Sequence, residues 1–560
     1  MRIPILLFSL LSLSVISFAE HAKKVANDIN TNSSANIDVI VQFKAAPDAN
    51  QHTKVAAKGG MLKNELSVVN AGQYSIPGNQ VNALAADPNV VYIAPDRRVT
   101  STAVMPTYNG APPDYGWIAV GAREAHNVFG LSGAGVGVAV IDSGIDEVDD
   151  LRDANGKSRI VYAESFVAGD PSTGDKYGHG EHVAGIIGGT GKESTGASYT
   201  YTVRGVAPSV KFINLRVLDK NGAGTDSAVI RAIERAIALK SKYNIRVINL
   251  SLGRPVSDYC ANDPLCQAVQ RAWQAGIFVA VAAGNDGRDN SAGTNGYATI
   301  NVPGNNPYVM TVGAMNTLGS ATKADDVPTT YSSKGPTLFD HIAKPDIVAP
   351  GNRIFSVLDT GSYLAFTYSS NIVPPSVYTS AGKFFPPSYF NLSGTSMATP
   401  MVSGAAALLI QQDPTLTPDQ IKARLMKTAD KFPRGTVALK DAGTGAMYIE
   451  HYDLFTIGAG YLNITAALTN SDKLSGSAQS PACSFDPASN TVTLDFEANS
   501  ALSGTTAVWG AGTIQGSTAV WGTTAVWGTT AVWGTTAVWG TSSPAQALST
   551  AIAGDNLQSK

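Results

Sequence analysis

A run of small residues near the C-terminal third constrains the fold most. Asn391-Leu392-Ser393-Gly394-Thr395-Ser396-Met397-Ala398-Thr399-Pro400 leads into Met401-Val402-Ser403-Gly404-Ala405-Ala406-Ala407-Leu408-Leu409-Ile410. Ala398, Val402, Ala405 and Leu409 recur at helical spacing, and a helix this apolar must be buried. Gly394 and Thr395 mark its start, and Pro400 falls early enough in it to cost little. Ser396 therefore stands where unpaired N–H groups and the helix dipole favour negative charge, as a hydroxyl attacking a carbonyl requires. A lone serine in that position is more often a cap, so a catalytic reading needs partners.

Two stretches supply them. Gly135-Val136-Gly137-Val138-Ala139-Val140-Ile141-Asp142-Ser143-Gly144 reads as a buried strand ending in a carboxylate and a turn. Gly178-His179-Gly180-Glu181-His182-Val183-Ala184-Gly185-Ile186 puts one histidine at the mouth of an apolar helix and another a turn later. A metal reading of this pair needs further ligands, and none stands at a convincing spacing. A serine hydroxyl needs a neutral imidazole to take its proton, and the imidazole needs a carboxylate to fix its tautomer. Asp142, His179 and Ser396 are those groups.

With these motifs in the order Asp, His, Ser, the chain resembles the subtilisin-like serine peptidases. The resemblance implies Asp142 as orienting carboxylate, His179 as general base and then acid, Ser396 as nucleophile, and His182 as a second, non-catalytic histidine. Asn285, in Ala283-Gly284-Asn285-Asp286-Gly287, matches the family's oxyanion donor. Ser251-Leu252-Gly253 matches its substrate-pairing segment. Two departures stand out. Glu181 replaces the usual threonine and is expected to face solvent, and Arg254-Pro255 follows where the family often has another glycine, which bears on cleft width. The chemistry needs no cofactor; Asp150 resembles a position contributing to structural calcium, although the ligand loop expected before Gly205 is not recognisable.

The 560 residues allow two or three units. A formal net charge of −3 gives no basis for a nucleic-acid partner. Residues 1–19, one arginine and a short apolar run ending in Ser17-Phe18-Ala19, read as a signal peptide. The chain is expected outside the cell, or in the periplasm in transit. Of three cysteines, Cys260 and Cys266 lie close enough for a local disulfide, and Cys483 has no evident partner.

Residues 36–100 read as a small α/β unit, with strands at 37–43, 74–76 and 90–93 and a helix at 79–86. It resembles the family's propeptide, which assists folding and blocks the cleft until cut; the cut is expected between Asp96 and Met105. Alternating strands and helices across residues 110–470 predict a parallel sheet with helices on both faces, the α/β architecture the resemblance implies. The segment 352–393 is long and aromatic, and either shapes access to the nucleophile or packs as a local flap.

Residues 471–560 form a C-terminal region in which 505–540 repeat every six residues around Thr-Thr-Ala-Val-Trp-Gly, with Trp509, Trp521, Trp527, Trp533 and Trp539 in one register. Stacked turns of a β-solenoid, a strand-pairing adhesive segment and a flexible chain all fit such a repeat. Exposed tryptophans suit a polysaccharide or cell-surface partner. The leading expectation is a secreted, self-processed endopeptidase acting on proteins; the alternative is a non-catalytic secreted binding or surface protein on the same scaffold.

Overall fold

The computed structural model describes residues 23–102, 115–380, 385–432, 435–441, 445–473, 475–486, 491–497, 500–502, 514–515 and 555. The signal-peptide reading, and the hexapeptide repeats apart from Ile514–Gln515, lie outside these residues.

The N-terminal unit is a four-stranded antiparallel sheet in the spatial order Met61–Leu66, Ala71–Pro77, Asn36–Phe43, Val90–Pro95. Alternation along Asn36–Phe43 gives the sheet two uses. Val39, Val41 and Phe43 join Val55, Tyr74, Ile76, Val81 and Leu84 in a core of the unit's own. Ile40 points the other way and packs, with Leu66, Val69 and Ala71, into the core of the main body. The same interface carries a hydrogen bond of 2.9 Å from Gln42 to Gln267 and one of 3.0 Å from Arg231 to Asn64. Asp96 accepts from the backbone N–H and the hydroxyl of Ser227, at 2.9 and 2.8 Å, at the N-terminal end of the helix Asp226–Tyr243, where a carboxylate is favoured.

The main body is built on an eight-stranded sheet. Its path runs Val327–Pro328, Met310–Asn316, Phe278–Ala282, Ile245–Leu250, Gly137–Asp142, Lys211–Arg216, Ile160–Ser165, with Ile347–Pro350 also on Met310–Asn316. Every pairing is parallel except that of the short strand 327–328. Gly137–Asp142 comes first in the chain yet sits in the middle, with later strands added to one side and then the other. The order reverses between it and Ile245–Leu250, and such a switch opens a crevice at the carboxyl ends of the strands. The helices His179–Gly188 and Thr395–Gln412 pack together on one face, and Asp226–Tyr243 packs against Pro264–Gln274.

The body continues past residue 470, where the sequence reading ended it. Ala478, Cys483, Val492, Ala501 and Leu502 are buried in the same core as the central sheet, and Ala482–Asp486 and Thr491–Asp495 pair antiparallel. Cys260 and Cys266 are joined by a disulfide. No helix among the described residues is long and apolar enough to cross a membrane.

Candidate active site

Three elements converge at the crevice. The strand Gly137–Asp142 delivers Asp142 at its carboxyl end, and the helices His179–Gly188 and Thr395–Gln412 deliver His179 and Ser396 in their first turns. All three side chains are fully buried. His179 Nδ1 donates to Asp142 Oδ1 at 2.7 Å, and the same oxygen accepts the Ser143 N–H at 2.8 Å. His179 Nε2 has no hydrogen-bond partner among the described residues. Ser396 Oγ instead donates to the Ser251 carbonyl at 2.9 Å and lies 2.6 Å from Thr102 Oγ1. The carboxylate–imidazole half of a proton relay is thus made and the imidazole–hydroxyl half is not.

The local sequence explains how each group is held. Gly180 lets the histidine helix touch the strand, because a Cβ there would meet the Gly144 carbonyl and, at 3.2 Å, Asp142 Cβ. Gly178 turns the chain into the helix with φ +100°. Asp175 caps that entry: its Oδ1 accepts the N–H of Tyr177 and Gly178 at 3.1 and 2.7 Å, and its Oδ2 accepts that of Glu181 at 2.7 Å. Burial nonetheless pushes the Asp175 carboxyl up to about 6. At the nucleophile, Pro400 has no N–H to donate back along the helix. The Ser396 carbonyl is thereby free to accept from Ser251 Oγ at 2.9 Å. Ser251 and Ser396 are tied reciprocally, each hydroxyl on the other's carbonyl.

Asn285 is oriented by its other end. Its Oδ1 accepts the Thr395 N–H at 3.0 Å and the Thr395 hydroxyl at 3.1 Å. The amide nitrogen must then face the cleft, where Nδ2 donates to the Thr102 carbonyl. Thr102 arrives there at the end of a strand. Arg98–Ser101 lies antiparallel between Leu252–Gly253 and Ala223–Thr225, with Ser101 opposite Leu252 and Val99 opposite Gly224. The Thr102 N–H donates to the Ser251 carbonyl at 3.3 Å and the Ser101 N–H to the Gly222 carbonyl at 3.2 Å. The main chain of Ser251, Leu252 and Gly253 is thus paired with an extended segment of the chain itself.

Several expectations need correction. Glu181 does not face solvent: it is fully buried and accepts the Asp146 N–H. Burial, with Asp175 and Asp146 nearby, pushes its carboxyl well above the usual range. Arg254 turns away from the cleft into a buried cluster, bonded to both oxygens of Asp226 at 2.8 Å and to Asp263 at 2.6 Å. Arg97 of the N-terminal unit approaches Asp263 at 3.7 Å.

Asp150 does not fit a calcium site. Its carboxylate accepts the Glu193 N–H at 3.0 Å and the Tyr389 hydroxyl at 2.8 Å, and no group of three or more His, Cys, Asp or Glu among the described residues is placed to hold a metal. The segment 352–393 divides. Tyr378 and Tyr389 are buried against Val203, Phe355 and Val373, whereas Tyr363 stacks on Tyr177 at 6.0 Å and Phe366 is 88% exposed.

His182 lies a turn beyond His179 and is fully buried; its Nε2–H is shared by the carbonyls of Ile354 and Phe390, each at 3.1 Å. Burial, then the neighbouring His179, lower it to about 3, so it stays neutral. Sequence reasoning missed Asp175 and Ser143, whose hydroxyl accepts the Gly180 N–H at 2.9 Å. An acidic residue just ahead of Tyr-Gly-His was the available signal for the first.

The chain is similar to known proteins to differing extents. The Subtilase family model matches residues 133–448, more than half of the chain. Serine protease AprX of Bacillus subtilis is 38% identical over 311 residues, which cover 54% of this chain and 63% of that protein. Subtilisin E of the same organism is 32% identical over 424 residues, 76% of this chain and 92% of that protein. Among solved structures, fervidolysin from Fervidobacterium pennivorans, a keratinolytic enzyme related to subtilisin, superposes with a TM-score of 0.59 at 22% identity, covering 84% of this chain and 66% of that one. The chain thus spans slightly less than two thirds of AprX and of fervidolysin and nearly all of subtilisin E. On the family match and the identity to subtilisin E, the chain belongs to the subtilase family, the subtilisin-like serine peptidases.

Proposed function

We propose that the chain is a secreted serine endopeptidase, made with a signal peptide at 1–19 and as a precursor that cuts itself between Thr102 and Ala103. Ser396 Oγ attacks the carbonyl carbon of the residue that occupies the place of Thr102. His179 Nε2 takes the hydroxyl proton, with Asp142 holding Nδ1–H and stabilising the imidazolium. The oxyanion is met by Asn285 Nδ2 and the Ser396 N–H. The tetrahedral species collapses as the peptide C–N bond breaks, the leaving amine takes the proton from His179, and water repeats the sequence on the acyl-enzyme to release the acid.

The observation that carries this reading is the engagement of Thr102: its carbonyl accepts from Asn285 and its N–H donates to Ser251, at the end of a strand held by main-chain pairing. Main-chain pairing also accounts for protein substrates of varied sequence. The N-terminal unit in this reading is a propeptide and first substrate, and the tryptophan repeats serve a polysaccharide or cell-surface partner. N-terminal sequencing of the secreted protein tests the assignment, with Ala103 expected first. A Ser396→Ala chain is expected to remain uncut and inert toward casein; one that matures and digests casein would refute it.

A further inference from the structure

One residue from beyond the repeats reaches back into the main body. Asp555 is 2% exposed and sits in a polar pocket formed by Arg288, Thr330 and Asn352. Its Oδ1 accepts from Arg288 Nη2 at 2.8 Å and from the Thr330 hydroxyl at 2.6 Å, and its Oδ2 accepts the Thr330 N–H at 2.8 Å. Its main chain is held as well: the Asp555 N–H donates to Asn352 Oδ1 at 3.3 Å, and Asn352 Nδ2 donates to the Asp555 carbonyl at 3.4 Å.

The pocket is built rather than incidental. Thr330 is fully buried and Asn352 is 3% exposed. Arg288 is fixed by the Thr330 hydroxyl at 2.6 Å from Nε, by Asp441 at 3.2 Å and by the Tyr448 ring at 4.7 Å. A guanidinium with two further donors suits a carboxylate. The side-chain amide of Asn352 adds a pair of bonds to a backbone N–H and a backbone C=O, the groups that a residue in peptide linkage presents.

We propose that Arg288, Thr330 and Asn352 form a receptor for an aspartyl residue in peptide linkage, and that Asp555 occupies it as an intrachain latch. The other end of the intervening segment is seated too, because Ala501 and Leu502 are buried in the main core. Leu502 and Asp555 are thus both seated on the main body. The receptor adjoins the oxyanion loop. Arg288 follows Asn285 by three residues, and Ser333 ties the two strands of chain through bonds of 3.0 Å to Gly284 and Asp286.

The Thr330 N–H reports the latch directly, since its acceptor is Asp555, whereas the adjacent Thr329 N–H donates to the Ala314 carbonyl at 3.1 Å. Residue-resolved hydrogen exchange on the full chain, carrying Ser396→Ala to prevent self-digestion, compares Asp555 with Asp555→Ala. Exchange at Thr330 should accelerate by about 10-fold or more, with Thr329 changed by less than about 2-fold. No acceleration at Thr330, or an equal rise at both amides, overturns the proposal.

Discussion

The cleft-bound strand makes a measurable demand at Val99. This side chain is fully buried in the core of the main body, while its neighbour Thr100 is exposed. Val99 is absent from the N-terminal unit's own core, so its truncation should leave that unit folded. Val99→Ala removes two methyl groups, worth ~1.6 kcal/mol at ~0.8 kcal/mol each, and a residual cavity raises the loss toward ~2.5 kcal/mol. At ~1.4 kcal/mol per tenfold, the isolated unit, residues 23–102, should inhibit the processed enzyme about 14- to 60-fold less well. The assay is hydrolysis of a chromogenic peptide against a titration of the unit, with far-ultraviolet circular dichroism as the folding control. Thr100→Ala, a surface change, should stay within about 2-fold. Inhibition by Val99→Ala within about 2-fold of the parent would refute the claim that this side chain anchors the strand in the cleft.

Other perturbations have definite signs. Asn285→Ala should lower kcat by ~10²- to 10³-fold with little change in KM, since the lost bond strengthens as charge develops on the oxygen; steady-state kinetics on a short peptide reads this. Glu181 is held protonated in the folded chain above its ordinary 4.5 because burial raises its pKa. The folded state therefore binds the extra proton, and this group makes stability fall as pH rises from 4.5 through the raised value. Glu181→Gln, in a Ser396→Ala background, should match the parent's Tm near the acid end and exceed it increasingly toward neutrality; a gap that is constant with pH would count against this. Replacing Cys260 and Cys266 together by serine should cost about 2 kcal/mol, the chain-entropy value for so short a loop, measurable by urea unfolding.

Much of the site was legible because its chemistry demands local patterns. A buried strand must end where Asp142 ends it, and glycines at 178 and 180 are needed to bring a histidine helix against that strand. What escaped notice was non-local. Nothing near Glu181 reveals that the loop at Asp146 will close over it, and Arg254 reads as a cleft residue until Asp226 and Asp263 are brought beside it by folding.

The helix Ala49–Ala56 was missed although Asp48 and Gln51 form a capping box, because its residues are mostly polar. The strand Met61–Leu66 lacks alternation and is defined by its partner Ala71–Pro77. The end of the body near 470 was misjudged for a related reason. Ala478, Cys483 and Val492 are isolated apolar residues in a polar stretch, and only their burial marks them as core.

The second histidine has a mechanical consequence. By holding the carbonyls of Ile354 and Phe390 together, His182 clips the foot of a hairpin, Ile354–Val357 on Tyr389–Leu392, to the helix that bears His179. The long aromatic excursion leaves and returns through that clipped foot, and the returning strand runs directly into Ser396. A rearrangement of that foot is thereby passed both to the helix of the histidine and to the strand that feeds the nucleophile.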